Sequence, residues 1–425
     1  MRRVVVWRLV GIGASALALV AAAACSTPAT LTPAAGKGRT TTTTAPPLPS
    51  SLDVVPAANA RNVSPANPVS AALANGELDN VVLTAASGKN VAGTYDPAKA
   101  TWHSTAELAY NTTYTFSVTG TGKDGKQYNE THTFTTVQPN NLTMPYFQAN
   151  SAMSLNGGVF GVGQPIIVHF DESITNRAAA EKSLVVETDP PGIVGGWYWI
   201  DSSTVHWRPR DYWPAGTKVS VFANVYGVNL GGGLYGQANQ TASFTVGDSH
   251  IAVADAKTHH MKVYINGVQV TSINGHDVTA GIPVSMGKGG TETTPEGVTI
   301  NFNTNTGVHV VMEKYEHIIM RSDSFGIVDK TDPNYYVANI AKAVRISGDG
   351  EFVHLADWNI PQQGHVNTSH GCINVGPDYI YWFYNTFRAG DIVDVTGTPL
   401  NLALTNGLGD WTLSWAQWQK GSALN

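Results

Sequence analysis

The sequence predicts a mainly β protein: two tandem β-sandwiches followed by a third, mostly β domain with a short helix and a Trp-rich C-terminal tail. Charged residues make up only 13% of the chain while Gly reaches 43, against about a quarter charged in ordinary soluble domains. Apolar residues alternate with Thr and Ser across 51–247, the period of half-buried strands. Those alternating stretches also repeat. A length of 425 residues accommodates roughly three domains of ~150 residues. Residues 1–50 contain five basic groups and no acidic one, so the remainder carries 20 basic against 31 acidic groups. A body with a net charge of −11 has no general attraction for phosphate backbones, which excludes nucleic acid as the partner.

The chain opens with Arg2, Arg3 and Arg8 ahead of an uncharged stretch from Leu9 to Ala24. Sixteen residues fall short of the ~20 a spanning helix needs, and the pattern reads as an export signal over 1–25. Ala22-Ala23-Ala24-Cys25 followed by Ser-Thr-Pro resembles a bacterial lipoprotein signal. That resemblance implies lipidation of Cys25, a lipid anchor in the membrane, and a location in the cell envelope at the outer face of the cytoplasmic membrane. Residues 26–51 are mostly Thr, Pro and Ala, with almost nothing to bury, and read as a disordered linker.

Trp102 stands twelve residues before the alternating Tyr114, Phe116 and Val118, and Trp207 stands twelve before Val219, Val221 and Ala223. The common offset is 105 residues, growing to 110 between Phe134 and Phe244. The second copy therefore carries an insertion, placed at Gly231–Gly233. An offset near 100 residues is the size of an immunoglobulin-like sandwich, giving modules at 52–140 and 141–247. Neither holds a Cys, so their cores rest on apolar burial, and each reads as a spacer or docking surface. Trp197 and Trp199 share one strand face, as core residues or as a carbohydrate-stacking patch.

Residues 248–397 form the third domain, and Cys372 is the one thiol beyond Cys25. Its surroundings, Gly364 to Asn374, are polar and Gly-flanked, unlike the apolar company of structural cysteines. From the residues alone three readings stand: a nucleophile, an inert buried thiol, or a metal ligand. A nucleophilic thiol with pKa ~8.5 needs a base. His354, His365 and His370 are available, and His354 lies in Glu351-Phe352-Val353-His354-Leu355, a short strand in which it shares a face with Phe352. His365 and His370 lie in the loop itself, where solvated or loop-ordering roles are the default.

His354, fourteen intervening residues, and then Ser369-His370-Gly371-Cys372-Ile373-Asn374 resemble the signature of the L,D-transpeptidase family with its YkuD-type catalytic domain. Ser285-Met286-Gly287-Lys288 and Thr294-Pro295-Glu296-Gly297 resemble its upstream segments. The tandem modules and lipoprotein-like start resemble its two-Ig-domain class. The resemblance implies a cysteine-dependent enzyme without cofactor or metal, acting on peptidoglycan stem peptides. It would form 3→3 cross-links through a thioester with the donor tetrapeptide, releasing D-Ala, and would be a target of carbapenems. The alternative is a non-catalytic, cell-wall-binding lipoprotein.

By the same resemblance Cys372 is the nucleophile and His354 the general base, its ring oriented by the Leu355 carbonyl. The backbone N–H groups of Gly371 and Cys372 are the expected oxyanion donors, with Gly371 allowing close approach of substrate. His370, Ser369 and Asn374 order the loop and hold substrate. The segment 312–340 resembles a lid over the donor site, with Met320, Phe325 and Tyr336 at matching positions and the Tyr336 hydroxyl near the oxyanion. Phe325 stands where the family often has Tyr, so apolar cover is what it implies. Trp358 matches an aromatic on the acceptor side. A helix is expected over Tyr379–Arg388. In the tail, 398–425, Trp411, Trp415 and Trp418 at i, i+4 and i+7 predict one helical face docked on the catalytic domain.

Overall fold

The computed structural model describes residues 48–425 apart from Glu296. The expected signal, Cys25 and nearly all of the linker lie outside the described residues. The linker's expected end at 51 is corrected. Ser51 opens the first strand, Ser51–Val55, and the Tyr128 hydroxyl donates to the Ser50 carbonyl at 2.5 Å.

In the first sandwich, strands Ser51–Val55, Ser70–Ala74, Thr101–Ser104 and Gly93–Tyr95 form one sheet in that order. Gly76–Ala85, Thr113–Gly122 and Gln127–Thr135 form the other. Leu73, Trp102, Phe116 and Phe134 are buried between them, each contributing about 1.5–3 kcal/mol of apolar burial. The second sandwich pairs Gly195–Trp199, Thr204–Pro209, Ile166–Phe170 and Pro145–Gln148 against Val159–Phe160, Gln240–Val246, Lys218–Ala223 and Leu184–Asp189. Trp197 and Trp199 are buried in this core, so the stacking-patch reading falls away. The Gly231–Gly233 insertion is the turn of a hairpin joining Asn229–Gly231 to Leu234–Gly236.

The two sandwiches share a packing device that marks them as copies. Trp102 pairs with Tyr95 and lies over Gly93; Trp207 pairs with Trp197 and lies over Gly195. A Cβ on either glycine would come within 2.0 Å of the indole. Only Gly leaves room for the ring.

The third domain is a ten-stranded sheet on which helix Pro377–Thr386 buries Ile380 and Phe383. The helix stops two residues short of the expected Arg388, where the chain extends at Phe387. This domain is not an independent body. Val310, Met312, Ile392 and Leu408 belong to the core of the second sandwich. Gly161 and Gly163 donate to the Ala389 and Gly390 carbonyls at 2.8 Å, and a Cβ on either would meet Asp391 or Ile392 at about 2 Å.

The tail departs from the expected single helix on the catalytic domain. It forms a 3₁₀ turn Asp410–Thr412 and a short helix Trp415–Gln419, and its tryptophans close on the second sandwich. Their common object is Arg208, 2% exposed, whose guanidinium lies 4.5, 5.6 and 4.7 Å from the rings of Trp411, Trp415 and Trp418. Its Nη2 donates to the Leu413 carbonyl at 2.8 Å. A charge that is costly to bury is thereby met by three ring faces and by carbonyls. His206 Nδ1 adds a 2.8 Å contact to buried Asp410.

Deleting 48–140 is expected to leave a soluble protein, whereas deleting 48–247 exposes this shared core and should cause aggregation, as read by size-exclusion chromatography. Arg208→Ala should destabilise the fold by about 2–4 kcal/mol in denaturant unfolding; a loss below 1 kcal/mol would show that the tail does not depend on it.

Candidate active site

Two short parallel strands build the platform. Phe352–Leu355 pairs with Ile373–Val375 in the register His354 to Asn374. Val353, Ile373 and Val375 are buried in the domain core, so alternation sends His354 and Asn374 to the opposite face. Cys372, one residue before the second strand, packs against the cluster containing Phe352 on that same face.

His354 is 4% exposed, and its Nδ1 lies 2.8 Å from the Leu355 carbonyl. A carbonyl only accepts, so Nδ1 carries the proton and Nε2 keeps its lone pair. Burial lowers the imidazole pKa to about 4 against the raising effect of that bond. Trp358, 60% exposed, stacks on it at 6.0 Å between centroids and 24°.

Cys372 is half-buried. Burial pushes its thiol up to about 12, a Phe352 backbone hydrogen bond opposes this, and Glu351 and Asp349 add to it. The thiol donates to the Gly350 carbonyl at 3.8 Å. Each environment taken by itself therefore favours the neutral form, thiol and imidazole alike.

The expected oxyanion pair is corrected in one member. The Gly371 N–H donates to Ser369 Oγ at 3.1 Å, and that hydroxyl donates to the Cys372 carbonyl at 2.6 Å. The Cys372 N–H is left uncommitted. Within the protein a Cβ on Gly371 would meet nothing nearer than 3.8 Å, and what calls for glycine there is its φ of +143°. The loop is held by the Ser285–Lys288 segment: Ser285 Oγ donates to the Val366 carbonyl at 2.8 Å, and Lys288 N–H donates to that of Ser369 at 2.9 Å.

His370 stacks on Tyr336 at 5.2 Å, and its Nε2 contacts Asn334 Oδ1 at 3.2 Å. Burial, with Lys288 nearby, lowers it to about 4, so it is a neutral ordering group. Part of 312–340, expected as a lid, is regular sheet. Glu313–Arg321 and Val337–Arg345 are paired strands, and residues 322–336 cross between them. Phe325 lies 6.1 Å from Tyr336, and Met320 packs in the cluster beside Cys372. Burial raises the Tyr336 hydroxyl well above its ordinary value, and a thiolate at Cys372 would raise it more, so it remains a hydrogen-bond donor at any working pH.

Two cavities meet at Cys372. The first, about 450 Å³, is lined by His354, Trp358, Met320, Ser369 and Asn374. The second, about 260 Å³, is lined by Phe325, Gly371, Asp349 and Glu351. Tyr336 and His370 line both. His365 is exposed and lines neither. The sequence reading missed Asn334, which accepts from Lys288 and donates to Glu292, and Thr304, whose Oγ1 donates to the Gly371 carbonyl at 2.6 Å. It also missed Glu351, although a charge opening the apolar run FVHL was a visible signal.

Comparison with known proteins agrees with this architecture. Residues 249–395 match the model of the L,D-transpeptidase catalytic domain, and residues 60–229 match a bacterial Ig domain. L,D-transpeptidase 2 of Mycobacterium tuberculosis is 41% identical over 84% of this chain and 81% of its own length. L,D-transpeptidase 5 of the same organism is 34% identical over 89% of this chain and 78% of its own. Among solved structures, L,D-transpeptidase 3 of M. tuberculosis in complex with a faropenem-derived adduct shows 31% identity, covering 59% of this chain and 98% of that one, at a TM-score of 0.46. The chain belongs to the L,D-transpeptidase family, and it is an enzyme of the acyltransferase type.

A thiol near 12 beside an imidazole near 4 predicts the alkylation profile of resting enzyme. Iodoacetamide modification of Cys372 should rise about tenfold per pH unit from pH 6 to 9 with no plateau, because only the thiolate reacts. A plateau beginning near pH 6 would show a resting ion pair instead.

Proposed function

We propose that this enzyme forms 3→3 cross-links in peptidoglycan through a thioester on Cys372. The observation that carries the reading is the arrangement of His354, its tautomer held by the Leu355 carbonyl, on the same strand face as Cys372 and beside the same cavity.

Cys372 Sγ attacks the carbonyl carbon joining the third residue of a donor tetrapeptide to its terminal D-Ala, while His354 Nε2 takes the thiol proton. Since the resting pair is neutral, proton transfer accompanies attack. The Cys372 N–H and the Tyr336 hydroxyl meet the oxyanion. As the C–N bond breaks, His354 returns the proton to the leaving D-Ala. The side-chain amine of a neighbouring stem then attacks the thioester, His354 accepts its proton, and Sγ leaves to regain that proton as thiol. Energy held in the first amide passes through the thioester, so no nucleotide is consumed.

Cys25 would carry a lipid holding the enzyme at the outer face of the cytoplasmic membrane, with the linker and the sandwiches reaching into the wall. Changing Cys25→Ser should move the protein from the membrane to the soluble fraction; unchanged fractionation would reject lipid anchoring.

Cys372→Ala should abolish both thioester formation and 3→3 products from a disaccharide-tetrapeptide, as read by mass spectrometry. His354→Gln should slow acylation by about 10²–10⁴-fold. Carbapenems should add to Cys372. Retained turnover without the thiol would overturn the mechanism, and wild-type acylation in the His354 variant would assign the base elsewhere.

A further inference from the structure

We propose that the second cavity at Cys372, lined by Asp349 and Glu351, binds the side-chain ammonium of the donor stem's diamino acid, so that the enzyme selects donors carrying a free amine. This rests on the transpeptidase reading above and adds to it a basis for donor recognition.

Glu351 is 6% exposed. Its Oε1 accepts the Asn305 N–H at 2.7 Å, while Oε2 is buried with no hydrogen-bond partner. The nearest charged candidate, His309 Nδ1, is 3.9 Å from Oε2 and already 3.1 Å from the Ile346 carbonyl. A buried carboxyl left half-satisfied is costly in a folded protein unless a ligand completes it. Asp349 adds a second acidic group, its Oδ2 accepting from Asn305 Nδ2 at 3.3 Å.

Among the described residues no Lys or Arg lines this cavity, so the complementary charge is assigned to the ligand. Burial holds Glu351 up to about 8, and an ammonium at hydrogen-bond distance would restore its charge. Ile300, Phe325 and Leu400 supply apolar wall for the methylenes of an aminoalkyl arm. A volume of about 260 Å³ suits such an arm rather than a second peptide strand.

Chemistry assigns the arm to the donor. His354 lines only the first cavity, and the acceptor amine must reach His354 to lose its proton. The donor's attacked carbonyl belongs to the same residue as the arm, so an amine a few bonds away lies within reach of a cavity touching Cys372.

The test measures acylation of full-length enzyme by intact mass, without acceptor, using tetrapeptides whose side-chain amine is free or acetylated. Wild type should prefer the free amine by about tenfold or more, and Glu351→Gln and Asp349→Asn should each bring that ratio towards one. Because Asp349 is exposed, its variant keeps the test independent of how Glu351→Gln folds. Equal rates for both donors in wild type, or an undiminished preference in both variants, would overturn the assignment while leaving the transpeptidase reading intact. An effect confined to thioester resolution by added amine would give the arm to the acceptor and overturn it too. Failure of wild type to take any tetrapeptide would reject the functional reading, and the assignment with it.

Discussion

The hydrogen bond from His354 Nδ1–H to the Leu355 carbonyl is the interaction on which the chemistry depends. It fixes the tautomer within a single strand, without a carboxylate partner. An acidic orienter would stabilise imidazolium and favour a resting ion pair. A carbonyl leaves the ring neutral in its buried setting, and the neighbouring thiol stays protonated. That arrangement suits an enzyme whose thiol borders two cavities.

Around this pair the packing is rigid where the chemistry needs it and open where substrate enters. The nucleophile loop is held by Ser285, Lys288 and Thr304, while Trp358 stands exposed over His354. The crossing segment 322–336 connects through Asn334 to His370, Lys288 and Glu292, so the motif, the 288–292 stretch and that crossing share one polar junction. Further out, the catalytic sheet shares its core with the second sandwich. The Arg208 cage fastens the tail across that junction. The first sandwich keeps a core of its own and meets the second around Tyr110, whose hydroxyl donates to the Gly236 carbonyl at 2.7 Å and whose ring lies 4.8 Å from that of Tyr226. Only the second sandwich is therefore structurally inseparable from the active domain.

The sequence revealed what is local and periodic. Alternation placed Tyr114, Phe116 and Val118 in a sheet and buried them correctly, and the repeat offset exposed the two sandwiches. Cys372 and His354 were legible because their motif is contiguous and chemically odd for its surroundings. What stayed hidden depends on residues distant in sequence. Nothing local to Arg208 announces three indoles about 200 positions later, and i, i+4, i+7 spacing cannot show that Leu413 and Ser414 interrupt the helix. The commitment of the Gly371 N–H to Ser369 Oγ is a matter of φ/ψ rather than of residue type. Glu351 was readable as an anomaly beside an apolar strand, but its unpartnered oxygen emerges only when Asn305 and His309 are folded around it.

Nitrogen NMR of the resting, full-length enzyme labelled at histidine tests the central claim most directly. The account predicts that His354 shows a single neutral tautomer protonated at Nδ1, with no titration between pH 5 and 8. An imidazolium signal for His354 at pH 7, lost when Cys372 is changed to Ala, would contradict it by showing a preformed thiolate–imidazolium pair.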